Sequence, residues 1–571
     1  MAYPQCSRLL IRLALVLLCS AAFLSLTLPI LASNPGDLDP TFGNDGVVTT
    51  TIGSQSFGRA VVLQPDGKIV VAGYSGGSQA FALARYNSNG NLDDAFGNGG
   101  IVTTTIGYGG QGNNIILQSD GKIVVAGYSS DGFKDSFTLA RYTITGTLDN
   151  EFGKGGVITT PIGNSSATKH GIAIQSDSKI VMAGYHQDGS QQVIALTRHT
   201  ITGSLDSNFG NSGIVTTSIG SNVYGRDVAV QPDGKILVTG SSDSSLVLIC
   251  YTNSGDLDNI FGKGGIVTTS IGSTSWGEDV VLQSDGKILV AGTISSSGKS
   301  TFALVRYTIT GSLDSTFGSA GVVTTSIGST AIGWAAAVQP NNKIVVTGPV
   351  ADGIQQVFGL VRYNGHGSLD TTFGNNGIVT TTLDNYPYSL DVAVQPDDGR
   401  ILVIGQSGLS FALARYLGDT PNPTSIPPSG GTIYPTPGVT FTASSGIFSD
   451  TVLITYTPQP ITSTGSLSNV GLFFKLDATY LSNGQPAQPQ PGQHYTIKVT
   501  YRQEDVPVGM NEADLALYYW DGAAWVKEPS SVVDTSANTI TASPDRFSLW
   551  AALAAPSSSP PHTYLPLILK P

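Results

Sequence analysis

Cysteine is nearly absent from this chain, and that removes whole classes of structure. Of three cysteines in 571 residues, two fall within the first 33 and only Cys250 lies beyond. The body of the protein therefore has neither a disulfide framework nor a thiolate metal site. Charge is thin as well: charged residues make up 12% of the chain and the net charge is −12. With no basic stretch after Arg12, nothing can neutralise a phosphate backbone, which excludes a nucleic-acid partner. The six histidines, His170, His186, His199, His366, His494 and His562, sit in separate repeats or loops and never at ligand spacing. No metal and no cofactor is called for. What the chain holds instead is glycine, 70 residues of it, beside 40% hydrophobic residues, a composition suited to many short strands joined by tight turns.

Residues 1–33 read as a signal peptide. Arg8 and Arg12 precede an apolar run from Leu13 to Leu28, with a small-residue site at Ala32 or Ser33. The mature chain is expected to be secreted or displayed at the cell surface. Retention of the leader as an anchor is the alternative, because the run is nearly long enough to span a bilayer. Leu18 stands where a lipobox needs a small residue, which argues against lipidation at Cys19.

Beyond the leader the chain repeats. Gly-x-Leu-Asp-x-x-Phe-Gly begins at Gly36, Gly90, Gly146, Gly203, Gly255, Gly311 and Gly367. Each copy continues with a β-branched segment such as Ile101 to Thr105, an apolar segment ending in Gln, a turn such as Pro65-Asp66-Gly67, a second apolar segment, and a third like Phe81 to Tyr86. Asp-Gly between apolar runs is a strong hairpin signal, so the spacing predicts four antiparallel strands per copy, in the order Arg59 to Gln64, Lys68 to Gly73, Phe81 to Tyr86 and Ile101 to Thr105. A single such unit cannot bury both faces and must stack on its neighbours. The ends interlock: Val47 to Ile52 is a fourth strand that arrives before any first strand, and Asp391 to Tyr416 supplies three strands with no fourth. The fold class expected over residues 34–418 is all-β, a seven-bladed β-propeller closed by a seam of N-terminal and C-terminal strands.

The motifs Gly-x-Leu-Asp-x-x-Phe-Gly, Gln-Pro-Asp-Gly-Lys-Ile-Val-Val-Ala-Gly and Phe-Ala-Leu-Ala-Arg-Tyr resemble the delta-60 repeat of secreted bacterial proteins, over about residues 36–418. The resemblance implies a propeller and extracellular placement. It brings no activity or catalytic residue with it.

At 419–430 the composition turns to Pro, Ser and Gly, a linker that should form no ladder. Residues 431–554 carry alternating stretches at Val439 to Thr442, Thr451 to Tyr456, Tyr495 to Tyr501 and Leu515 to Trp520, which predict about seven strands and a β-sandwich similar to accessory modules of bacterial surface proteins. Residues 555–571 are a Pro/Ser spacer and an apolar tail, Tyr564 to Pro571. The tail is too short to span a membrane and is a candidate for envelope attachment.

Two catalytic-looking motifs lack their context. Gly73-Tyr-Ser-Gly-Gly77 matches a nucleophile elbow, and Gly107-Tyr-Gly-Gly-Gln-Gly112 matches a dinucleotide fingerprint, but each needs a following helix and strands follow both. The recurring acid at Asp39, Asp93 and their copies gives too few oxygens for calcium. It is better placed to pair, in a bidentate fork, with the equally periodic arginine at Arg85, Arg141, Arg198, Arg306, Arg362 and Arg415, a place taken by Cys250 in the fourth copy.

A residue common to all copies serves the frame, whereas one that varies is free to serve a ligand. The most mixed position of the first strand reads Arg59, Asn113, His170, Arg226, Glu278, Trp334 and Leu390, and two residues earlier stand Phe57, Tyr224, Trp276 and Tyr388. In a propeller these would ring the channel mouth, entering from the loop that precedes the first strand, with aromatic surface to stack on a sugar or grip a peptide. The leading expectation is an extracellular binding or scaffold protein for a glycan or protein, more a binder than an enzyme. One alternative is a polysaccharide hydrolase or lyase using Glu278, His170 and Arg226. The other is a purely structural surface protein.

Overall fold

The computed structural model describes residues 34–554 apart from 77–78, 163–170, 340, 354, 385, 396–398, 419–424, 437–438, 459–467, 481, 483–484, 502–505, 507–510 and 522. The leader, the C-terminal spacer and tail, and His170 and His562 lie outside the described residues. Apart from one 3-10 turn at Glu512–Asp514, the regular structure is all β.

Each repeat builds one antiparallel sheet. Sheet 1 runs Ser56–Leu63, Ile69–Ser75, Ala80–Tyr86 and Ile101–Thr104, with Ile69 opposite Tyr86 and Phe81 opposite Thr104. Sheets 2 to 5 repeat this pattern over 109–160, 171–217, 223–269 and 274–325, and sheet 6 over 330–381. Sheet 7 is made from both ends of the repeat region: Tyr388–Val394, Ile401–Ser407 and Ser410–Tyr416 are completed by Val47–Thr50, which pairs Val47 with Ala414 and Thr50 with Phe411. These four-stranded sheets are consistent with a propeller. The apolar cores lie between neighbouring sheets; one joins Val71 and Ala82 of sheet 1 to Leu402, Ile404 and Leu413 of sheet 7.

The first strand begins at Ser56, three residues before the sequence places it, because a β-bulge between Gly58 and Ala60 absorbs Arg59 without ending the ladder. The Pro-rich linker also departs from expectation. Ser425–Ile426 do enter a ladder, against Val452 and Leu453, and do so at a sheet edge, where neighbouring prolines are tolerated. Beyond it stand a six-stranded and a five-stranded sheet, more strands than the sequence suggests. Phe441, Ile497 and Ile540 of one pack with Ile454, Leu476, Leu517 and Trp550 of the other in a shared buried core.

The periodic polar residues of the repeat converge on one joint. In six copies the arginine Nε donates to the aspartate Oδ2 at 2.7–2.9 Å. The lysine of the Asp-Gly-Lys turn, or Arg400 in the last copy, approaches the same carboxylate at 2.9–3.5 Å. The guanidinium lies 4.3–4.5 Å from the centre of the repeat's phenylalanine ring. The pairing is not the bidentate fork the sequence suggests. The second carboxylate oxygen accepts a turn N–H two residues on, Ala95 for Asp93 and Thr41 for Asp39. Arginine NH1 is spent on the neighbouring repeat, donating to a backbone carbonyl there: Arg85 to Ile144, Arg141 to Ile201, Arg198 to Asn253, Arg306 to Gly365 and Arg415 to Ser88. One side chain thus ties its own sheet to the next.

A second tie runs the other way. The phenol ending the third strand meets a threonine of the preceding sheet's last strand at 2.6–2.9 Å, as in Tyr86 with Thr50, Tyr142 with Thr104 and Tyr416 with Thr381. His199 interrupts this series and turns to the Gly203 carbonyl and to Thr197. Cys250 interrupts the first series. Its thiol, pushed up to about 12 by burial and the charge of Asp258, only grazes Asp258 at 3.8 Å.

Two outcomes test this frame. Deleting residues 34–54 removes the last strand of sheet 7 together with Asp39 and Thr50. It is expected to give a less soluble protein with a markedly lower Tm, since orphaning a buried charge alone costs about 3–5 kcal/mol. Cys250→Arg supplies the missing joint where Asp258 and Phe261 already wait, and differential scanning calorimetry should record a Tm raised by about 1–3 °C.

Candidate functional site

The mixed position coincides with the bulge. Arg59, Asn113, Arg226, Glu278 and Leu390 are each the extra residue of a register shift in the first strand of their sheets. In sheet 6 the first strand is broken outright, and Trp334 lies between Thr330–Ala331 and Ala335–Val338. These residues therefore stand within or between first-strand segments and not in the preceding loop. His170 falls outside the described residues. A bulge re-aims a side chain that the pleat would otherwise direct into a sheet face. Before it comes a glycine forced by close approach: a Cβ on Gly58 would sit 2.8 Å from the Gly405 carbonyl oxygen, and one on Gly225 2.6 Å from that of Gly184. First strands of adjacent sheets touch one another in an unbroken circuit that returns from sheet 7 to sheet 1, so the bulges face a common interior.

Around Arg59, Phe57 stacks on Tyr74 at 4.8 Å and the Arg59 guanidinium lies 5.4 Å from the Tyr74 ring. Arg226 stands 5.9 Å from both Tyr185 and Tyr224, which meet edge to face at 4.9 Å. Trp334 of sheet 6 meets Tyr388 of sheet 7 edge to face at 5.8 Å. Burial raises the Tyr388 phenol, with Arg59 drawing it down and Glu278 pushing it up, so side chains from sheets 1, 5 and 7 share one electrostatic patch. Tyr128 feels Arg59 as well. Trp276 lies opposite Thr293 on its own sheet, and Leu390 is buried.

Tyr74, Tyr128 and Tyr185 were not singled out from the sequence. The signal was present, because the residue after the second-strand glycine also varies: Tyr74, Tyr128, Tyr185, Ser241, Thr293, Pro349 and Gln406. The motif Gly73-Tyr-Ser is part of a strand, as is Gly109 to Gly112 of the dinucleotide-like motif.

Just past the bulge a second set of residues binds sheet to sheet. The N–H of Val280 donates to Asp227 Oδ2 at 3.2 Å, that of Ala336 to Asp279 Oδ2 at 2.7 Å, and that of Val61 to Asp391 Oδ2 at 2.8 Å. Asp227 and Asp279 also hydrogen-bond each other. Burial first, then the neighbouring Asp279 charge, raises Asp227 well above the usual carboxylate range. Among the described residues no group of three or more His, Cys, Asp or Glu is arranged to hold a metal.

Five of the repeats match a β-propeller family model. The stretches are 64–96, 118–152, 231–261, 283–317 and 339–373, and the family is described as a domain of unknown function (DUF5122) beta-propeller. No curated protein matches the chain. Among solved structures the chain is similar to polysaccharide lyase Uly1, at 11% identity over 63% of this chain and 90% of that one, with a TM-score of 0.38. It is also similar to Drosophila Plexin A in complex with Semaphorin 1b, at 9% identity over 66% and 88% with a TM-score of 0.37, and to the extracellular domains 1-2 of Drosophila Semaphorin 1b, at 9% over 67% and 88% with 0.36.

The raised Asp227 carboxyl sets the sign of one pH response. A carboxyl whose pKa is raised by folding contributes stability that is fully present below its unfolded value and is lost as pH rises through the folded one. The joint carboxylates run oppositely. In Asp314 the Thr316 hydroxyl, opposed by burial and joined by Arg306, holds the group near about 2, so its contribution fades only in strong acid. Thermal shift between about pH 5 and about pH 9 should therefore record a Tm that declines with rising pH, with a shallower decline in Asp227→Asn. Equal slopes in the two proteins would contradict the raised Asp227 carboxyl.

Proposed function

We propose that this chain is an extracellular binding protein. In this reading residues 34–418 form a seven-bladed propeller whose bulge ring contacts a glycan or protein. The domain at 431–554 is a β-sandwich acting as spacer or second binding module. The signal peptide at 1–33 directs export, and the tail at 564–571 is a segment for envelope attachment.

One observation carries the binding reading: the same joint and tie residues recur in six of the seven sheets each, while the bulge residues differ from copy to copy and gather aromatic and charged groups on one interior surface. A purely structural protein has no use for that contrast. The hydrolase reading is less well supported. The acid pair nearest the ring is in mutual hydrogen-bond contact and anchors backbone N–H groups, whereas retaining and inverting glycosidases hold their carboxyls about 5–9.5 Å apart.

Replacing Trp276 and Trp334 together by Ala tests the reading. Retention on a polysaccharide or envelope fraction that holds the parent should fall at least about tenfold, with Tm moving by no more than about 2 °C. Undiminished retention would return the ring to a structural role.

A further inference from the structure

Arginine appears in two settings in this protein, and the difference between them identifies a ligand. The six joint arginines are buried, and each has a carboxylate within 2.9 Å. Among the described residues Arg59 and Arg226, the two cations of the bulge ring, take part in no ion pair, in contrast to joint arginines such as Arg85, Arg198 and Arg415. The Nε of each is enclosed and without a hydrogen-bond partner, although the side chains are only partly buried. Arg59 reaches a single weak acceptor, the Tyr74 hydroxyl at 3.5 Å, and Arg226 has only the faces of Tyr185 and Tyr224. In a chain with 40 acidic and 28 basic residues, carboxylates are in excess, yet no described one is paired with these two. Asp227, next in sequence to Arg226, is committed to Asp279 and to the Val280 N–H. Partly exposed guanidinium groups held beside aromatic rings, and paired with no described carboxylate, suit a planar oxyanion arriving from outside.

We infer that the ring binds an anionic polysaccharide through its carboxylates, with Arg59 and Arg226 as the anion-binding residues and Tyr74, Tyr185, Tyr224, Trp334 and Tyr388 as the surrounding aromatic surface. This rests on the binding reading above and narrows it to uronate-type sugars. An acidic peptide is the competing source of carboxylates. An extended peptide would pair with the interior edge of a first strand, but the bulges break that edge at the ring residues, so recognition falls to side chains and ring faces. Flat sugar rings with carboxylate substituents suit that surface better than a strand does.

Titration calorimetry of the full chain tests the inference, using polygalacturonate, fully methyl-esterified polygalacturonate, dextran sulfate and poly-L-glutamate as probes. The expected result is binding of polygalacturonate that weakens with added salt, with the esterified form at least about tenfold weaker. Arg59→Gln with Arg226→Gln should lower affinity for polygalacturonate at least about tenfold while Tm stays level or rises, because no ion pair is lost. A drop in Tm with unchanged affinity would mean that the arginines are structural and would overturn the assignment. Equal binding of the acid and its ester would overturn the anionic assignment alone and leave the ring a glycan binder. Preference for dextran sulfate or poly-L-glutamate over polygalacturonate would replace the uronate with that ligand. Failure of all four probes to bind would overturn this inference, whereas failure of the Trp276 and Trp334 variant to lose retention would overturn the binding reading beneath it.

Discussion

Everything in the repeat region depends on one joint, a buried arginine that reaches a carboxylate of its own repeat with Nε and a backbone carbonyl of the next with NH1. A four-stranded sheet has two apolar faces and cannot close its own core, so neighbours are obligatory. Hydrophobic contact alone is non-directional and would let sheets slide. The guanidinium sets the distance and the register of adjoining sheets. The phenol–threonine contact adds a second fixed point from the opposite side, and the Asp-to-backbone bonds at Asp227, Asp279 and Asp391 a third just past the bulges. The same chemistry closes the chain on itself. Asp39 and Phe42 come from one end of the repeat region, Arg400 and Arg415 from the other, and they form a joint like the rest.

That division of labour leaves the first-strand bulges free of structural duty. In five of the sheets a glycine precedes the bulge residue and a Cβ there would crowd the neighbouring sheet; in sheet 7 Ser389 takes that place. The bulge side chains are not fixed by any common partner. Arg59, Glu278 and Trp334 can therefore differ at equivalent places without disturbing the frame, and the interior surface can be tuned copy by copy. Leu390 is the exception, since it is buried and belongs to packing.

Much of this was legible in the sequence because periodic residues announce themselves. Asp93, Arg85, Lys68 and Phe96 recur at fixed offsets, and their recurrence pointed to a shared structural task. The strand at Val47–Thr50 was legible because it stood without a partner nearby in sequence. The half of each contact made by backbone was not legible: the Ile144 carbonyl and the Val280 N–H carry no residue signature. For the same reason the bidentate fork was the wrong geometry, because the second arginine nitrogen had an invisible acceptor. The bulge itself had a visible cue in the glycine before Arg59, Asn113, Arg226, Glu278 and Trp334. Tyr74, Tyr128 and Tyr185 were less legible, because they vary within an otherwise uniform apolar second strand and nothing local marks them as facing the bulges.

The claim that binding resides at the bulges and stability in the joints can be tested by hydrogen–deuterium exchange of the full chain with and without polygalacturonate. The account predicts ligand-dependent protection centred on the first strands, Ser56–Leu63, Gly109–Leu117, Val223–Val230, Thr274–Leu282 and Tyr388–Val394, with the last strands of each sheet unaffected. Protection confined to the last strands, or to residues 431–554, would contradict it.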